Sequence, residues 1–378
     1  MFYLILNSMK KTGYLSVFAI MALASCSQDD VADVYNGRPI EFRSEVESRG
    51  ALVTTANISE MYVTAFNADG SKKLIDKVRF ASSDGAFKSD VDYYWPKNEE
   101  ENVTFHAFSH DFWNNNYGYQ SAGTLNLSST AQSITNFKCG GTSLVEEDLC
   151  WGKVTTNKKT ASAGVPITMQ HLLSSVEIRV KKSATDKRSI TIYDCWIQNI
   201  YTQGDVTLTS GTPVWSNLKS VKLDMSGVNG VMLSDEQTQV TSTAKSIHQA
   251  NNTFMLIPQT TTAWDGKSAT TTGTYIRLWV RIEDEDGTVL LPTLPESGTD
   301  VDMTAVMESS MVAVPLAFNL QRGKKYVYTL DFSNGYGVVP PDLTKYDGKP
   351  GDPVLGNPIS ISCTVSDWGA PTSSDVKL

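Results

Sequence analysis

Hydrophobic and polar side chains alternate along this chain in many short segments, with a period of two residues. In one of them, Val176, Ile178 and Val180 alternate with Glu177 and Arg179. Successive side chains of a strand point to opposite faces, so we expect this strand to have one wet face. Similar patterns occur at 61–66, 103–108, 189–197, 275–282, 326–332 and 359–365. Sustained helical periodicity is scarce, and the pattern predicts an all-β protein.

Asp-Gly dipeptides separate many of these segments and are typical of tight hairpin turns, because glycine tolerates positive φ. They occur at 69–70, 84–85, 265–266, 286–287 and 347–348. Many short strands joined by such turns predict a sandwich or a barrel. A chain of 378 residues also exceeds what one core usually supports, and a polar stretch at 158–164 precedes a new strand region. We therefore predict two tandem β-sandwich domains, at 38–163 and 164–378.

The end of the second predicted domain has its own pattern. Glycine, proline and aspartate are dense at 335–358, which predicts an extended linker. A terminal strand is predicted at 359–368. Its apolar residues are two positions apart, so we expect them on one face. They are Ile359, Ile361, Cys363 and Val365.

The first 25 residues have the features of a secretory signal peptide. Lys10 and Lys11 precede a short apolar run at 14–23, and Leu-Ala-Ser-Cys follows at 23–26. The run is shorter than the roughly 20 residues that span a membrane. The ending resembles a bacterial lipobox, which implies cleavage before Cys26 and a diacylglycerol on its thiol. Residues 26–37 are then a tether, and its acidic start resembles the surface-export signal of Bacteroidetes lipoproteins.

The net charge limits the classes of molecule that this protein could bind. The net charge is −9, which argues against a nucleic acid as partner because phosphates require a basic surface.

An exported chain can form disulfides, and Cys139 and Cys150 are close enough in sequence to close a loop. Whether these two cysteines are bonded stays open. Cys195 and Cys363 lie in strand patterns and are predicted to be buried. Without a CxxC motif or a Cys/His cluster, no metal site is expected.

The sequence contains no recognisable catalytic motif. GxSxG, HExxH, P-loop and GxGxxG patterns are absent. His106 and His110 lie four apart in a predicted strand, about 13 Å along it, which is too far for one metal ion. We expect neither an enzyme nor a cofactor, although carboxylates distant in sequence could still pair.

One aromatic cluster is a candidate ligand surface. Phe112, Trp113, Tyr117 and Tyr119 surround three asparagines. Exposed aromatic rings beside amides can stack on sugar rings. The alternative is that these rings pack against their own domain.

Several fragments occur together in an order that resembles the Bacteroides and Porphyromonas fimbrillin family, the subunits of type V pili. They are Ile40-Glu41-Phe42 before Arg49-Gly50-Ala51, Tyr93-Tyr94-Trp95-Pro96, Asp148-Leu149-Cys150-Trp151, His171-Leu172-Leu173, Ile257-Pro258-Gln259 and Val365-Ser366-Asp367-Trp368. The resemblance implies two tandem sandwiches of transthyretin-like or Greek-key type in an elongated arrangement. It also implies a structural protein of the pilus.

In such pilins an arginine-specific protease removes the first strand, and the resemblance implies a cut between Arg49 and Gly50. Arg38 and Arg43 are nearby alternatives. The displaced strand would carry Ile40, Phe42 and Val46. A sister subunit would fill the groove with the residues of its own terminal strand, Ile359, Ile361, Cys363 and Val365.

The resemblance further implies other pilin subunits as partners and a lipid-anchored precursor on the surface of the outer membrane. Stalk, tip and uncut anchor positions stay open. The second hypothesis is a surface or pilus-tip adhesin that binds a glycan or a host protein through the aromatic cluster.

Overall fold

The computed structural model describes residues 37–44, 52–53, 58–84, 86–112, 123–139, 148–220, 230–234, 237–247, 254–269, 272–292, 302–343 and 348–367. These residues form an all-β protein with several sheets and one short helix. The predicted fold class is therefore confirmed, while the division into two tandem sandwiches stays a prediction. Among the described residues, no helix has the length and apolar character needed to cross a membrane.

The structure contains 24 strands among the described residues. They are β1 Phe42–Ser44, β2 Leu52–Val53, β3 Glu60–Phe66, β4 Lys73–Ser83, β5 Ala86–Lys88, β6 Val103–Phe108, β7 Thr124–Leu127, β8 Gln132–Lys138, β9 Cys150–Thr156, β10 Val165–Ile167, β11 Met169–His171, β12 Ser174–Lys181, β13 Ser189–Gln198, β14 Gln203–Thr207, β15 Val214–Lys219, β16 Gly230–Ser234, β17 Thr238–Gln239, β18 Lys245–Ser246, β19 Phe254–Leu256, β20 Tyr275–Glu283, β21 Val289–Leu291, β22 Met311–Pro315, β23 Lys324–Asp331 and β24 Ser360–Asp367.

The first sheet has nine strands in the order β10-β1-β5-β4-β3-β6-β9-β11-β2. Its buried side chains form one hydrophobic core, which includes Phe42, Phe80, Trp95 and Phe105. The ring of Trp95 packs edge-on against Phe105, with 5.7 Å between their centroids. Strand β6, which follows Trp95 in the sequence, contributes Phe105 to this core.

Three further sheets are built mostly from the second half of the chain. Their orders are β18-β12-β23-β24 with β19 beside β12, β16-β13-β20-β21 with β17 beside β13 and β22 beside β20, and β15-β14-β8-β7. A second, larger hydrophobic core includes Ile178, Leu278, Leu330 and Phe332.

Four strand pairs cross the predicted domain boundary at 163/164. Strand β10 pairs with β1, β11 pairs with both β9 and β2, and β8 pairs with β14. Hydrophobic periodicity cannot reveal such pairings, since periodicity reports only which face a residue occupies. The boundary itself stays a prediction.

Two local predictions need correction. Glu177 was expected on a wet face, but it is 6% exposed, because it is covered by ion pairs with Arg179 and Lys325. The periodicity also missed helix α1, Met303–Ser309, whose first turn is capped by the carboxylate of Asp302. A side-chain oxygen at this position satisfies amide groups that have no partner within the helix.

Candidate functional site

The predicted displaced strand lies inside the first sheet. Strand β1 runs parallel to β10 and antiparallel to β5, so that Phe42 faces Val165 on one side and Phe87 on the other. Ile40 and Phe42 are 2% and 0% exposed. Both residues therefore belong to the core of this sheet. Val46, Arg49 and Gly50 lie outside the described residues.

Phe42 is held by two aromatic neighbours. Its ring meets Phe80 edge-on at 4.9 Å and Phe105 edge-on at 5.4 Å between centroids. The amide of Ile40 donates a hydrogen bond of 2.7 Å to the carbonyl oxygen of Tyr93. Removal of this strand would uncover both rings and the backbone groups of β5 and β10.

The predicted donor strand lies at the edge of its sheet. Strand β24 pairs antiparallel with β23 along its whole length, and no other strand in the described part of the chain pairs with it. Ile361, Cys363 and Val365 oppose Leu330, Tyr328 and Tyr326, as the predicted common face requires. Paired residues of an antiparallel ladder share a face of the sheet.

That face is buried on β23 but exposed on β24 at Cys363 and Val365, while Ile361 is partly buried. Tyr326, Tyr328 and Leu330 are all buried, whereas Val365 is 56% exposed and Cys363 is also exposed. Ile359, just before the strand, is buried. The prediction that Cys363 is buried is therefore wrong, because the second core extends only to the start of β24, where Ile361 packs against it and is partly buried.

The described parts of the predicted linker, 335–343 and 348–358, are packed against the protein. Val338 exchanges two backbone hydrogen bonds with Ala313 at the edge of β22, and Tyr336, Val339 and Val354 are buried. The hydroxyl of Tyr336 also donates a 2.7 Å hydrogen bond to Asp186. The expectation of an extended linker is wrong for these described residues, because Tyr336, Val339 and Val354 pack into the second core.

A buried ion pair adds to this attachment. Nη1 of Arg277 in β20 lies 2.8 Å from Oδ2 of Asp342 in the linker, and both side chains are mostly buried. The guanidinium of Arg277 also lies over the ring of Trp196, 5.8 Å from its centroid. Together these contacts fix the segment that leads into β24.

Of the aromatic cluster, Phe112 alone lies within the described residues. It packs edge-on against Phe108 and His110, with centroid distances of 5.6 and 5.0 Å. This matches the packing alternative for that one ring. Trp113, Tyr117 and Tyr119 lie outside the described residues.

His106 in β6 is fully buried, and neither ring nitrogen has a hydrogen-bond partner among the described residues. Burial, with a smaller effect of Lys153, lowers the pKa of His106 to about 4. A neutral imidazole in the core, packed near Phe66, is a structural residue.

One cluster of chemically capable side chains was not expected. Asp148, Cys150 and His171 come together, with their ligand atoms within 4.8 Å of one another. The Cys150 thiol is 3.0 Å from Oδ2 of Asp148 and 3.8 Å from Nδ1 of His171, and the same carboxylate oxygen contacts Nδ1. The search for CxxC and nearby Cys/His pairs missed it, because 21 residues separate Cys150 from His171.

This cluster does not have the geometry of a nucleophilic triad. In such a triad the base uses one ring nitrogen for the nucleophile and the other for the orienting carboxylate. Here Cys150 and Asp148 both approach Nδ1 of His171. Burial, and then the Asp148 carboxylate, raise the pKa of the Cys150 thiol, which is the opposite of activation.

The other cysteines of the described residues are Cys139, Cys195 and Cys363, and none of them forms a disulfide in this structure. Cys139 and Cys195 are buried, as predicted for Cys195, and neither Cys139 nor Cys150 is part of a disulfide in this structure. A loop closed by Cys139 and Cys150 is therefore not formed here.

Comparison with models of known protein families finds one match that covers most of the chain. The sequence profile of the fimbrillin-like family matches residues 52–368. No curated protein matches at the significance required.

Two solved structures are similar along most of their length. One is a fimbrial protein from Bacteroides vulgatus, at 15% identity and a TM-score of 0.56, covering 88% of this chain and 100% of that chain. The other is a proposed cell adhesion protein from Bacteroides ovatus, at 14% identity and a TM-score of 0.45, covering 88% and 98%. The first likeness supports the all-β fold. With a family profile that spans most of its residues, this chain belongs to the fimbrillin-like family.

Proposed function

We infer that this protein is a structural subunit of a surface fimbria, and that its subunits join by exchange of β-strands. The observation that carries the proposal is a pair of complementary features within one chain. A short buried strand near the start lies between two strands of a sheet, and an edge strand near the end exposes the apolar residues Cys363 and Val365. Family membership supports a fimbrial role, and these two strands support the proposal that copies pair with one another.

The acceptor would be the slot that β1 occupies. Without β1, the ladder edges of β5 and β10 would have no partner, and the rings of Phe80 and Phe105 would lose their contact with Phe42. Unpaired strand edges bind an incoming strand through main-chain hydrogen bonds, while alternate side chains fill the pockets.

The donor would be β24 of a second copy. Ile361, Cys363 and Val365 repeat the two-residue spacing of the side chains that leave, Ile40 and Phe42. Burying each Ile or Val side chain contributes about 1.5–3 kcal/mol, so a few of them hold a joint. The packed linker would keep the base of the donor strand attached to its own subunit.

Release of β1 would follow a cut between Arg49 and Gly50 by an arginine-specific protease. Before the cut, the chain would be anchored in the outer membrane by a lipid on Cys26. The cut would then free the body of the subunit from its anchor. This order makes export, anchoring and assembly successive steps of one route.

The experiment uses the lipid-free chain with Cys26→Ser. It is treated with an arginine-specific protease, and the new N-terminus is sequenced together with electrophoresis for higher-order species. We expect Gly50 as the first residue, followed by polymers in which Cys363 no longer reacts with a maleimide. In the uncut monomer the exposed Cys363 thiol should react readily.

A matched pair of variants tests the donor strand. Val365→Asp puts a charge on the apolar face and should block polymerisation, whereas Thr364→Asp on the opposite face should not. Polymerisation by both variants would contradict the assignment of β24. A chain that resists the protease and loses binding to a glycan array on Trp113→Ala would instead favour the adhesin alternative.

A further inference from the structure

The Asp148–Cys150–His171 cluster is built by two neighbouring strands. Cys150 opens β9 and His171 closes β11, and the two residues are direct partners in the antiparallel ladder. Asp148 lies two positions before Cys150, on the same side of the chain. The backbone therefore fixes all three side chains on one face of the first sheet.

The backbone on the Asp148 side is held by a further residue. The hydroxyl of Ser109 donates to the carbonyl oxygen of Asp148 at 2.7 Å and accepts from the amide of Cys150 at 2.8 Å. This one side chain ties both ligand-bearing residues to the end of β6. A site whose ligands are held by neighbouring hydrogen bonds is organised before anything binds.

The distances suit a small metal ion. At ordinary bond lengths, the ligand atoms of a tetrahedral zinc ion lie about 3.3–3.6 Å apart. The distances from the Cys150 sulfur to Asp148 Oδ2 and His171 Nδ1 are 3.0 and 3.8 Å, on either side of that value. A modest outward movement of the carboxylate from the imidazole would make room for the ion.

Charge and donor type point to the same class of ion. Cys150 and His171 are 1% and 3% exposed, and the Asp148 side chain is 22% exposed, so the cluster contacts solvent mainly through Asp148. A thiolate and a carboxylate carry two negative charges and would neutralise a divalent cation in this buried place. Sulfur with imidazole favours zinc over calcium or magnesium, which prefer oxygen ligands.

The second carboxylate oxygen of Asp148 gives an independent indication of a bound ion. Oδ1 of Asp148 is buried and has no hydrogen-bond partner among the described residues. A buried acceptor without a partner is costly, and structures rarely keep one without a reason. Oδ1 is free to take part in coordination, or to accept a hydrogen bond from a water in the fourth position.

We propose that Asp148, Cys150 and His171 bind one zinc ion with three protein ligands and a water molecule. The Cys150 thiol loses its proton on binding, and the proton passes to solvent, so the bound site is neutral. The ion would tie β9 to β11 within the sheet that also holds β1. This site is independent of strand exchange, and neither proposal requires the other.

The test uses the full chain with Cys26→Ser, stripped of metal with a chelator and titrated with cobalt(II) and then with zinc. We expect a thiolate-to-cobalt charge-transfer band and tetrahedral ligand-field bands that saturate at one ion per chain, and zinc should displace them. Cys150→Ser and His171→Gln should each weaken zinc binding more than about 100-fold, since even changes in outer-shell partners cost 10–100-fold.

Controls separate this site from other thiols and from misfolding. Cys363→Ser and Cys139→Ser remove an exposed and a buried thiol elsewhere, and both should leave the cobalt spectrum unchanged. Asp148→Asn keeps the size of the side chain and should weaken binding in a folded protein, as judged by circular dichroism. Absence of saturable binding to the folded starting chain would overturn the proposal, as would a charge-transfer band that disappears only with Cys363→Ser.

Discussion

Phe42→Ala tests how much the first strand contributes to the uncut protein. The side chain is 0% exposed and lies in the nine-stranded sheet between β5 and β10. The substitution removes the whole ring and leaves a cavity bordered by Phe80 and Phe105, which are themselves fully buried. Phe80 belongs to β4 and Phe105 to β6, so the positions of two different strands limit how far these rings can move into the cavity.

The expected cost follows from two contributions. Burial of the ring and the residual cavity account for about 3–5 kcal/mol in Phe→Ala substitutions of this kind. The two edge-on contacts that hold Phe42, at 4.9 and 5.4 Å, contribute about 0.5–1.5 kcal/mol each in comparable aromatic pairs, and part of this is already included. We expect the free energy of unfolding of the uncut chain to fall by about 4 kcal/mol.

The assay is equilibrium denaturation of the uncut chain, followed by circular dichroism and by tryptophan fluorescence. Val91→Ala is the control, because Val91 is 66% exposed and its loss should change the free energy of unfolding by less than about 0.5 kcal/mol. A cost below about 1 kcal/mol for Phe42→Ala would refute the reasoning, since it would mean that β1 adds little to the first core. After cleavage at Arg49 and loss of the strand, the substitution should have no effect.

Three further predictions concern buried groups. Burial lowers the pKa of His106 from 6.5 to about 4, so protonation of this residue does not destabilise the folded protein above about pH 6.5 but destabilises it increasingly as the pH falls toward 4. His106→Phe should remove on the order of 3 kcal/mol of this loss of stability, measured by denaturation from pH 4 to 7. In Gly335→Ala, the new Cβ would lie 1.6 Å from the carbonyl oxygen of Asn357, so we expect a loss of about 3 kcal/mol and faster proteolysis within 335–358; unchanged proteolysis would contradict the packed linker. Asp342→Ala leaves Arg277 buried without its partner and should lower the free energy of unfolding by about 3–5 kcal/mol. The double variant Arg277→Met with Asp342→Leu replaces the ion pair by an apolar pair and should recover much of this free energy. An equal loss in both proteins would argue against the ion pair as the cause.

The strands themselves were predictable, because their information is local. The segments 103–108 and 275–282 coincide with β6 and most of β20, where alternating side chains decide the secondary structure. Glu177 was placed on a wet face because one strand, taken alone, does not reveal that Lys325 comes from the adjacent β23 and covers it. The error concerns a neighbour distant in sequence and not the strand.

The candidate sites show the same division. The family resemblance implies that Ile40 and Phe42 belong to a displaced first strand, and the structure places both side chains in the core of the first sheet. Cys363 was expected to be buried because it lies in a strand pattern, but β24 is the outermost strand of its sheet and its apolar face is exposed at Cys363 and Val365. An alternating pattern gives the face of a residue, but it does not state whether another layer covers that face.

The sequence by itself determined that this chain is all-β, because a period of two residues is a property of each segment alone. It also carried the fragments by which membership of the fimbrillin-like family could be expected. Only the tertiary structure decided that β1 lies beside β10, that β24 is an edge, and that Cys150 meets His171 across a ladder. These are contacts between residues far apart in sequence, and their free energy depends on which strands pair and which surfaces they leave open to solvent.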